Sequence, residues 1–166
     1  MDAEIPDEHE QAARACWADQ ARALLQGGRT AVLTLATGGC ARYAFSSEVS
    51  YVPDRRGLPL ILYRSENPHH HLILSNTTME LRLVHEVDGE GNELTLVIAT
   101  GMLRRVDPGD HDSLDRYHAA FHEWPDTGRR GRDRLYRFEP DHIRLEFFSG
   151  QRIALDKERV LEPIPR

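Results

Sequence analysis

Residues 29–65 read RTAVLTLATGGCARYAFSSEVSYVPDRRGLPLILYRS. Three apolar and β-branched stretches, at 29–37, 41–54 and 58–65, are separated by the turn residues GG and RRG. Stretches of strand length between glycine turns predict strands, and short turns join neighbouring strands in antiparallel order. Pro59 stands near the beginning of the third stretch, which marks either an edge strand or the first residue of a strand. The segment therefore predicts an antiparallel meander.

A helix precedes this meander. Residues 8–26 are rich in Ala, Leu, Gln, Glu and Arg, which are strong helix formers. Gly27 and Gly28 follow and supply the residue type at which helices commonly end. One helical face collects the apolar side chains, which are Ala13, Trp17, Ala21, Leu24 and Leu25. The spacing predicts an amphipathic helix.

The second half of the chain contains further strands and one more helix. Residues 80–87 and 94–106 flank the turn DGEGN and predict a second hairpin. A helix is predicted over 107–124, opened by Asp107 and the proline after it. Residues 134–156 predict two more strands with a Pro-Asp turn between them.

These elements define the fold class. They amount to six or seven strands and two main helices, and strands do not alternate with helices along the chain. This order predicts a mainly β (α+β) fold, an antiparallel barrel or roll with flanking helices. A chain of 166 residues suffices for one domain with a core. We expect a single domain over residues 1–166, with a leading helix at about 8–26, a barrel at about 29–156 and a short C-terminal tail.

Composition and charge exclude several classes of protein. The sequence is 40% hydrophobic and 29% charged, and no apolar run approaches the roughly 20 residues of a membrane-spanning helix. The net charge of −6 argues against a nucleic-acid partner, which normally meets a clustered basic surface. The acidic N-terminal segment has no signal-peptide pattern, so we expect a cytoplasmic protein. Cys16 and Cys40 lack metal-site spacing and predict buried or unreactive thiols.

Three motifs in the first half of the chain resemble one known family. They are LTLATGG at 33–39, the strand that contains Ser47 and Tyr51, and GLPLILYRS at 57–65. Behind an amphipathic helix, they resemble the split-barrel flavoproteins of the pyridoxamine 5'-phosphate oxidase-like group. More closely, they resemble its haem-utilisation branch, the HugZ-type haem oxygenases and their flavin-binding relatives. The resemblance covers roughly residues 20–156 and implies the split-barrel fold.

The signature segment of that branch corresponds here to SENPHHHLIL, residues 65–74. Ser65 and His70 match its serine and its histidine. His71 stands where a threonine is expected, and Ile73 where an asparagine is expected. These departures remove two polar contacts, each worth about 0.5–3 kcal/mol, and add an imidazole. We therefore expect a weaker affinity for flavin than in the flavin-binding relatives.

The resemblance implies that this segment helps to hold the phosphate of a bound cofactor. Arg64 and Ser65, with His70 as a third donor and Ser47 on the neighbouring strand, are the candidate contacts. His70 or His71 is the candidate ligand of haem iron, because neutral imidazole binds iron through Nε2. Adjacent residues of a helical turn point about 100° apart, so one of the two would face a given pocket.

The function implied by the resemblance is that of an oxidoreductase that binds haem b, with FMN or a deazaflavin as the alternative cofactor. Split barrels of this group are typically homodimers with the cofactor between subunits, which implies a homodimer and a small-molecule substrate. The sequence contains neither a GxSxG nucleophile motif nor a P-loop lysine. A non-catalytic carrier of haem or flavin fits these observations as well, so the sequence leaves open whether the protein is an enzyme.

Other histidines compete for a role as metal ligands. His118 and His122 are four residues apart on a predicted helix, a spacing that can bind a metal from one face. No third ligand stands out, so zinc is a minor alternative to simple packing of the pair. We expect His111 and His142 to be exposed at the ends of elements.

Overall fold

The computed structural model describes residues 8–27, 30–35, 46–64, 78–85, 95–122, 133–147 and 149–162. These ranges contain three helices and seven strands. The helices are α1 (Glu8–Gly27), α2 (His111–Phe121) and α3 (Lys157–Leu161). The strands are β1 (Thr30–Leu35), β2 (Ser46–Pro53), β3 (Pro59–Tyr63), β4 (Met79–His85), β5 (Thr95–Arg105), β6 (Arg134–Phe147) and β7 (Arg152–Leu155).

The strands form one antiparallel sheet that closes into a barrel. Their order is β3-β2-β1-β4-β5-β6-β7, and β3 also pairs with β6. This last pairing closes a ring of six strands, and β7 extends β6 outside the ring. The predicted mainly β antiparallel barrel with flanking helices is confirmed. Pro59 is the first residue of β3, as predicted, but β3 is paired on both sides and is no edge strand.

A single long strand, β6, replaces the two strands predicted around a Pro-Asp turn. It continues through Pro140 and Asp141 and pairs with β5 on both sides of them. The register shifts at this point, because Thr100 pairs with His142 whereas Gly101 pairs with Pro140, which leaves Asp141 without a partner. Proline is tolerated at such a bulge since one ladder hydrogen bond is already absent there. The predicted turn is therefore wrong, and β6 turns into β7 only after residue 147.

The barrel interior and α1 share one hydrophobic core. Phe138 is fully buried inside the barrel, and Ala21 and Leu25 from α1 are fully buried beside it in the same cluster. Full burial of a side chain such as leucine stabilises the folded state by about 1.5–3 kcal/mol. The Tyr51 hydroxyl donates a hydrogen bond to the Leu24 carbonyl oxygen at 3.0 Å. The predicted apolar face of the first helix is confirmed, and a polar contact fixes its C-terminal end to β2.

The second helix begins later than predicted. Asp110 is its N-cap and accepts a hydrogen bond from the Ser113 amide at 3.1 Å. Asp107 instead accepts from the Gly109 amide at 2.7 Å in a turn before the helix. The proposed start at Asp107 is therefore wrong, because the Pro-Gly pair after Asp107 forms that turn first. The predicted C-terminal tail contains α3, whose N-cap is Asp156.

None of the helices in the described ranges is long and apolar enough to cross a membrane.

A substitution at Gly101 tests the register shift between β5 and β6. A Cβ atom here would overlap the Glu139 carbonyl oxygen and lie 2.6 Å from the Pro140 Cα. We expect Gly101→Ala to lower the free energy of unfolding by about 1–3 kcal/mol, since overpacking forces backbone shifts. Gly27→Ala is the control, because no heavy atom lies within 4 Å of its Cβ position. Urea denaturation of both variants checks this, and equal stabilities would contradict the close approach.

Candidate functional site

One end of the barrel gathers the ends of three strands. The last residue of β3, Tyr63, pairs with the first residue of β6, Arg134. The last residue of β5, Arg105, pairs with Tyr136 on the same strand β6. Arg64 follows Tyr63 directly and is exposed. We call Arg64, Arg105 and Arg134 the arginine rim.

Two tyrosines lie beneath two of these arginines on the inner face of the barrel. Directly paired residues of an antiparallel sheet project on the same face, and so do residues two apart on one strand. Tyr63, Arg134, Tyr136 and Arg105 therefore share one face. It is the inner face, because Tyr63 and Tyr136 belong to the barrel core and are 2% and 3% exposed. Their ring centroids are 6.5 Å apart at an interplanar angle of 88°.

The arginines act electrostatically on one of these phenols. Burial raises the pKa of Tyr136, and the positive charges of Arg105 and Arg134 oppose that rise. Because burial is the larger effect, Tyr136 keeps its proton at neutral pH and can donate a hydrogen bond. Arg134 also donates to the Asp133 carbonyl oxygen at 3.2 Å.

Two predicted contact residues lie at this end of the barrel. Ser47 is close to the start of β2, and β2 runs antiparallel to β3, which ends at Tyr63, directly before Arg64. Ser47 pairs with Leu33, a core residue of β1, so its side chain is on the inner face. Its hydroxyl donates to the Glu48 carbonyl oxygen at 3.3 Å.

The other predicted contacts belong to the segment that follows the rim in the chain. Ser65, His70 and His71 lie outside the described residues, within 65–77. This segment connects Arg64, at the end of β3, to the beginning of β4. The predictions that His70 or His71 binds iron and that Ser65 contacts a phosphate stay predictions.

A buried polar network fixes β6 below the rim. Arg137 donates to the Asp54 carboxylate at 2.6 Å and to the Asp110 carboxylate at 3.0 Å. It also donates to the Ser113 hydroxyl at 3.0 Å. The network joins the end of β2, the start of α2 and the interior of β6. Burial opposes the ionisation of Asp110, but hydrogen bonds from Ser113 and Arg137 outweigh it and lower the pKa of that carboxyl group.

The alternative metal site has no support in the described part of the chain. The rings of His118 and His122 lie 6.4 Å apart, centroid to centroid. No group of three or more His, Cys, Asp or Glu residues in the described ranges could hold a metal ion. His111 and His142 are exposed, as expected, but His142 lies within β6 and not at the end of an element, because β6 continues through the predicted turn. Cys16 is a free, exposed thiol rather than a buried one, and Cys40 lies outside the described residues.

A cavity of about 250 Å³ lies far from the rim, between α1, β7 and α3. Alanines such as Ala15 and Ala154 line it, together with the charged residues Arg14 and Arg159. Arg159 already donates to the Asp19 carboxylate at 2.9 Å. The cavity is smaller than the roughly 300–1,000 Å³ of typical small-molecule sites.

Sequence reasoning missed Arg105, Arg134 and Tyr136 as a group. The available signal was an arginine at each of two strand ends, in LRRV and in RLYRF. Interpreting it required the register of β5 with β6, which the wrongly predicted Pro-Asp turn concealed.

The sequence matches no protein-family model and no curated protein. Solved structures do match its fold. A haem-binding protein from Mycobacterium smegmatis matches with a TM-score of 0.63 at 14% identity, over 96% of this chain and 62% of that protein's length. For an FAD-binding protein from Mesorhizobium loti the TM-score is 0.58 at 13% identity, over 84% of this chain and 94% of the other.

A third similar structure belongs to the pyridoxinephosphate oxidase family. It is a Clostridium acetobutylicum protein related to general stress protein 26 of Bacillus subtilis, with a TM-score of 0.57 at 9% identity. The match covers 88% of this chain and 98% of that one. At these identities the likeness concerns the fold. The chain has the split-barrel fold of pyridoxamine 5'-phosphate oxidase-like proteins, as its motifs predicted.

The network around Arg137 generates a stability prediction. Arg137→Leu removes the guanidinium group that lies 2.6 Å from the buried Asp54 carboxylate and leaves the exposed Arg56, at 3.7 Å, as its cationic neighbour. We expect a loss of about 3 kcal/mol in the free energy of unfolding. Arg116→Leu is the control, since Arg116 forms an i,i+4 pair with Asp112 on the surface of α2. Such pairs contribute about 0.3–0.5 kcal/mol.

The same variant has an expected pH dependence. The pKa of Asp110 is lower in the folded state than in the unfolded state. The ionised carboxylate therefore stabilises the folded protein at a pH above the unfolded pKa of about 3.9, and this contribution is lost as the pH falls through the folded pKa. The stability difference between the native protein and Arg137→Leu should therefore shrink in acid below about pH 4. Denaturation curves at neutral and acidic pH measure it, and a difference that grows in acid would contradict this role of Asp110.

Proposed function

We propose that the protein binds an anionic redox cofactor at the arginine rim and acts as an oxidoreductase, with haem b as the first cofactor and FMN or another flavin as the alternative. The observation that carries this proposal is the concentration of Arg64, Arg105 and Arg134 at one end of the barrel in a chain of net charge −6. Proteins of the same fold are described as haem-binding and as FAD-binding, which supports the proposal.

The chemistry of the rim fits such a cofactor. Haem carries propionate groups and FMN carries a phosphate, and guanidinium groups bind carboxylates and phosphates through charge-assisted hydrogen bonds. Arg64 and Ser47 would hold the anionic groups, together with Ser65. His70 or His71 would supply the iron ligand, because both follow Arg64 closely in the chain. A bound haem supplies oxygen- or peroxide-dependent oxidation, and a bound flavin supplies hydride transfer.

Because side chains fill the barrel interior, we expect the cofactor to bind outside it, above the arginine rim. Tyr51, Leu33 and Phe138 are fully buried and fill the interior, so a planar macrocycle or an isoalloxazine ring would lie outside it. We propose that a second copy of the chain completes the site, as in the homodimers that the sequence resemblance implies. Light scattering on the purified protein tests the homodimer independently of any cofactor.

A non-catalytic carrier is the second candidate function. The observation that favours it concerns Glu80 and Asp110, two partly buried carboxylates. Burial opposes their ionisation, but hydrogen bonds from Arg82 and Arg144 lower the pKa of Glu80, and those from Ser113 and Arg137 lower that of Asp110. Both groups stay ionised at neutral pH, so neither is tuned as a general acid. Membership of the haem-utilisation branch stays a prediction under either function.

Absorption titrations of the purified protein with haemin and with FMN test the proposal. We expect a Soret band typical of histidine-ligated haem, which His70→Ala or His71→Ala abolishes, and a weaker complex in Arg64→Ala. His142→Ala is the control, since His142 is exposed on β6 near the register shift. Flavin absorption without a Soret band would instead establish the flavin alternative. A protein that takes up neither haemin nor flavin would overturn the proposed function.

A further inference from the structure

We propose that Arg105, Arg134 and Tyr136 form a binding site for one phosphate or carboxylate group of a small molecule. The proposal rests on the proposed function only for the identity of that molecule, which is either the cofactor or its substrate. The site itself is argued from strand register, charge and burial.

Strand register places the three side chains around one point. Arg105 pairs directly with Tyr136, and Arg134 is two residues from Tyr136 on the same face of β6. Arg105 and Arg134 are therefore diagonal neighbours, whose Cα atoms are typically about 7–8 Å apart. Two long guanidinium side chains that start at this separation can converge on a single anion above the tyrosine hydroxyl.

Charge distinguishes these two arginines from their neighbours on the same strands. Arg104 lies 3.7 Å from the Glu139 carboxylate, and Arg137 pairs with Asp54 and with Asp110. Within the described ranges, neither Arg105 nor Arg134 forms an ion pair with a carboxylate. In a chain with more acidic than basic residues, 27 against 21, two such cations on one face leave a local positive potential. An exogenous anion would supply the missing counter-charge.

Tyr136 adds a neutral donor to the two cationic ones. It is 3% exposed and its ring packs edge-on against Tyr63 at 6.5 Å, so its position is fixed by the core. Burial raises its pKa, which keeps the hydroxyl protonated at neutral pH. The two guanidinium groups are donors only, and the tyrosine hydroxyl can donate a third hydrogen bond, so the group selects an oxyanion over a cation or a neutral group.

The site is also held rigidly. The backbone of each arginine is paired with a neighbouring strand: Arg105 pairs with β6 and Arg134 pairs with β3. Arg134 also begins the strand that Arg137 anchors to α2. Because the backbone beneath both arginines is already fixed by strand pairing, anion binding orders only their side chains. A loop arginine of the same charge would bind an anion more weakly.

Binding of inorganic phosphate, measured by calorimetry on the full chain, tests the site. We expect Arg105→Gln and Arg134→Gln each to weaken phosphate binding by about tenfold or more, and the double variant to abolish it. Arg104→Gln is the matched control, because Arg104 is the next residue on β5 and projects on the opposite face. Phosphate affinity that is unchanged in the double variant, or weakened equally in the control, would overturn the proposal.

Folding of the variants is checked by circular dichroism. If a glutamine variant does not fold, Arg134→Lys and Tyr136→Phe replace it, since the first keeps the charge and the second keeps the ring. We expect Arg134→Lys to retain part of the affinity and Tyr136→Phe to weaken it less than loss of a charge does. Native affinity in Tyr136→Phe together with native affinity in Arg134→Lys would overturn the three-residue site.

Two further titrations identify the molecule that carries the anion. Native protein and the double variant are each titrated with FMN and riboflavin, and with haemin and its dimethyl ester. A preference for the charged form that disappears in the double variant supports a cofactor anion. Unchanged cofactor binding with loss of phosphate binding supports a substrate anion. Phosphate binding without uptake of any cofactor supports the anion site and overturns the proposed function, so the two failures are distinguishable.

Discussion

Pairing of β3 with β6 is the constraint on which the rest of the structure depends. It converts a row of strands into a closed ring and covers the free sides of β3 and of the first residues of β6, which would otherwise expose unpaired backbone groups. The same pairing brings Tyr63 opposite Arg134, although these residues are far apart in the chain. Closure of the core and the position of Arg134 beside Tyr63 are therefore consequences of one set of backbone hydrogen bonds, and Arg105 joins the arginine rim through the pairing of β5 with β6.

Charge is distributed unevenly over this barrel. On the outer face of the sheet, Arg82 and Arg144 share the Glu80 carboxylate at 2.6 Å and 3.1 Å. Below the rim, Arg137 is surrounded by the network with Asp54 and Asp110 described above. The charges of these arginines are matched locally, so loss of either partner would leave an uncompensated charge. Arg105 and Arg134 have no such match among the described residues, so that end of the barrel carries unbalanced positive charge.

Much of the fold could be predicted from local patterns. The helical face with Ala21 and Leu25, the turn at Gly57 and the strand alternation all have short-range causes, and each was identified correctly. The other predicted glycine turns, at 38–39 and 88–92, lie outside the described residues. The errors have a common origin in long-range pairing. Pro140 indicates a turn when the chain is considered alone, but the register shift opposite Gly101 accommodates it within a continuous strand. In the sequence, Asp107 has the pattern of a helix N-cap. In the structure the N-cap is Asp110, which Arg137 holds from β6.

The residues of the candidate site also fall into those that local sequence patterns indicate and those that long-range strand pairing brings together. By itself, the sequence determined the order of strands and helices, because strand spacing and turn residues are encoded in neighbouring residues, and its resemblance to a known family made Ser47 and Arg64 candidate contacts. Only the tertiary structure decided that Arg105, Arg134 and Tyr136 share one face. The reason is physical: cross-strand neighbours are set by the register of distant segments, and that register is fixed by closure of the barrel and by the bulge at Gly101.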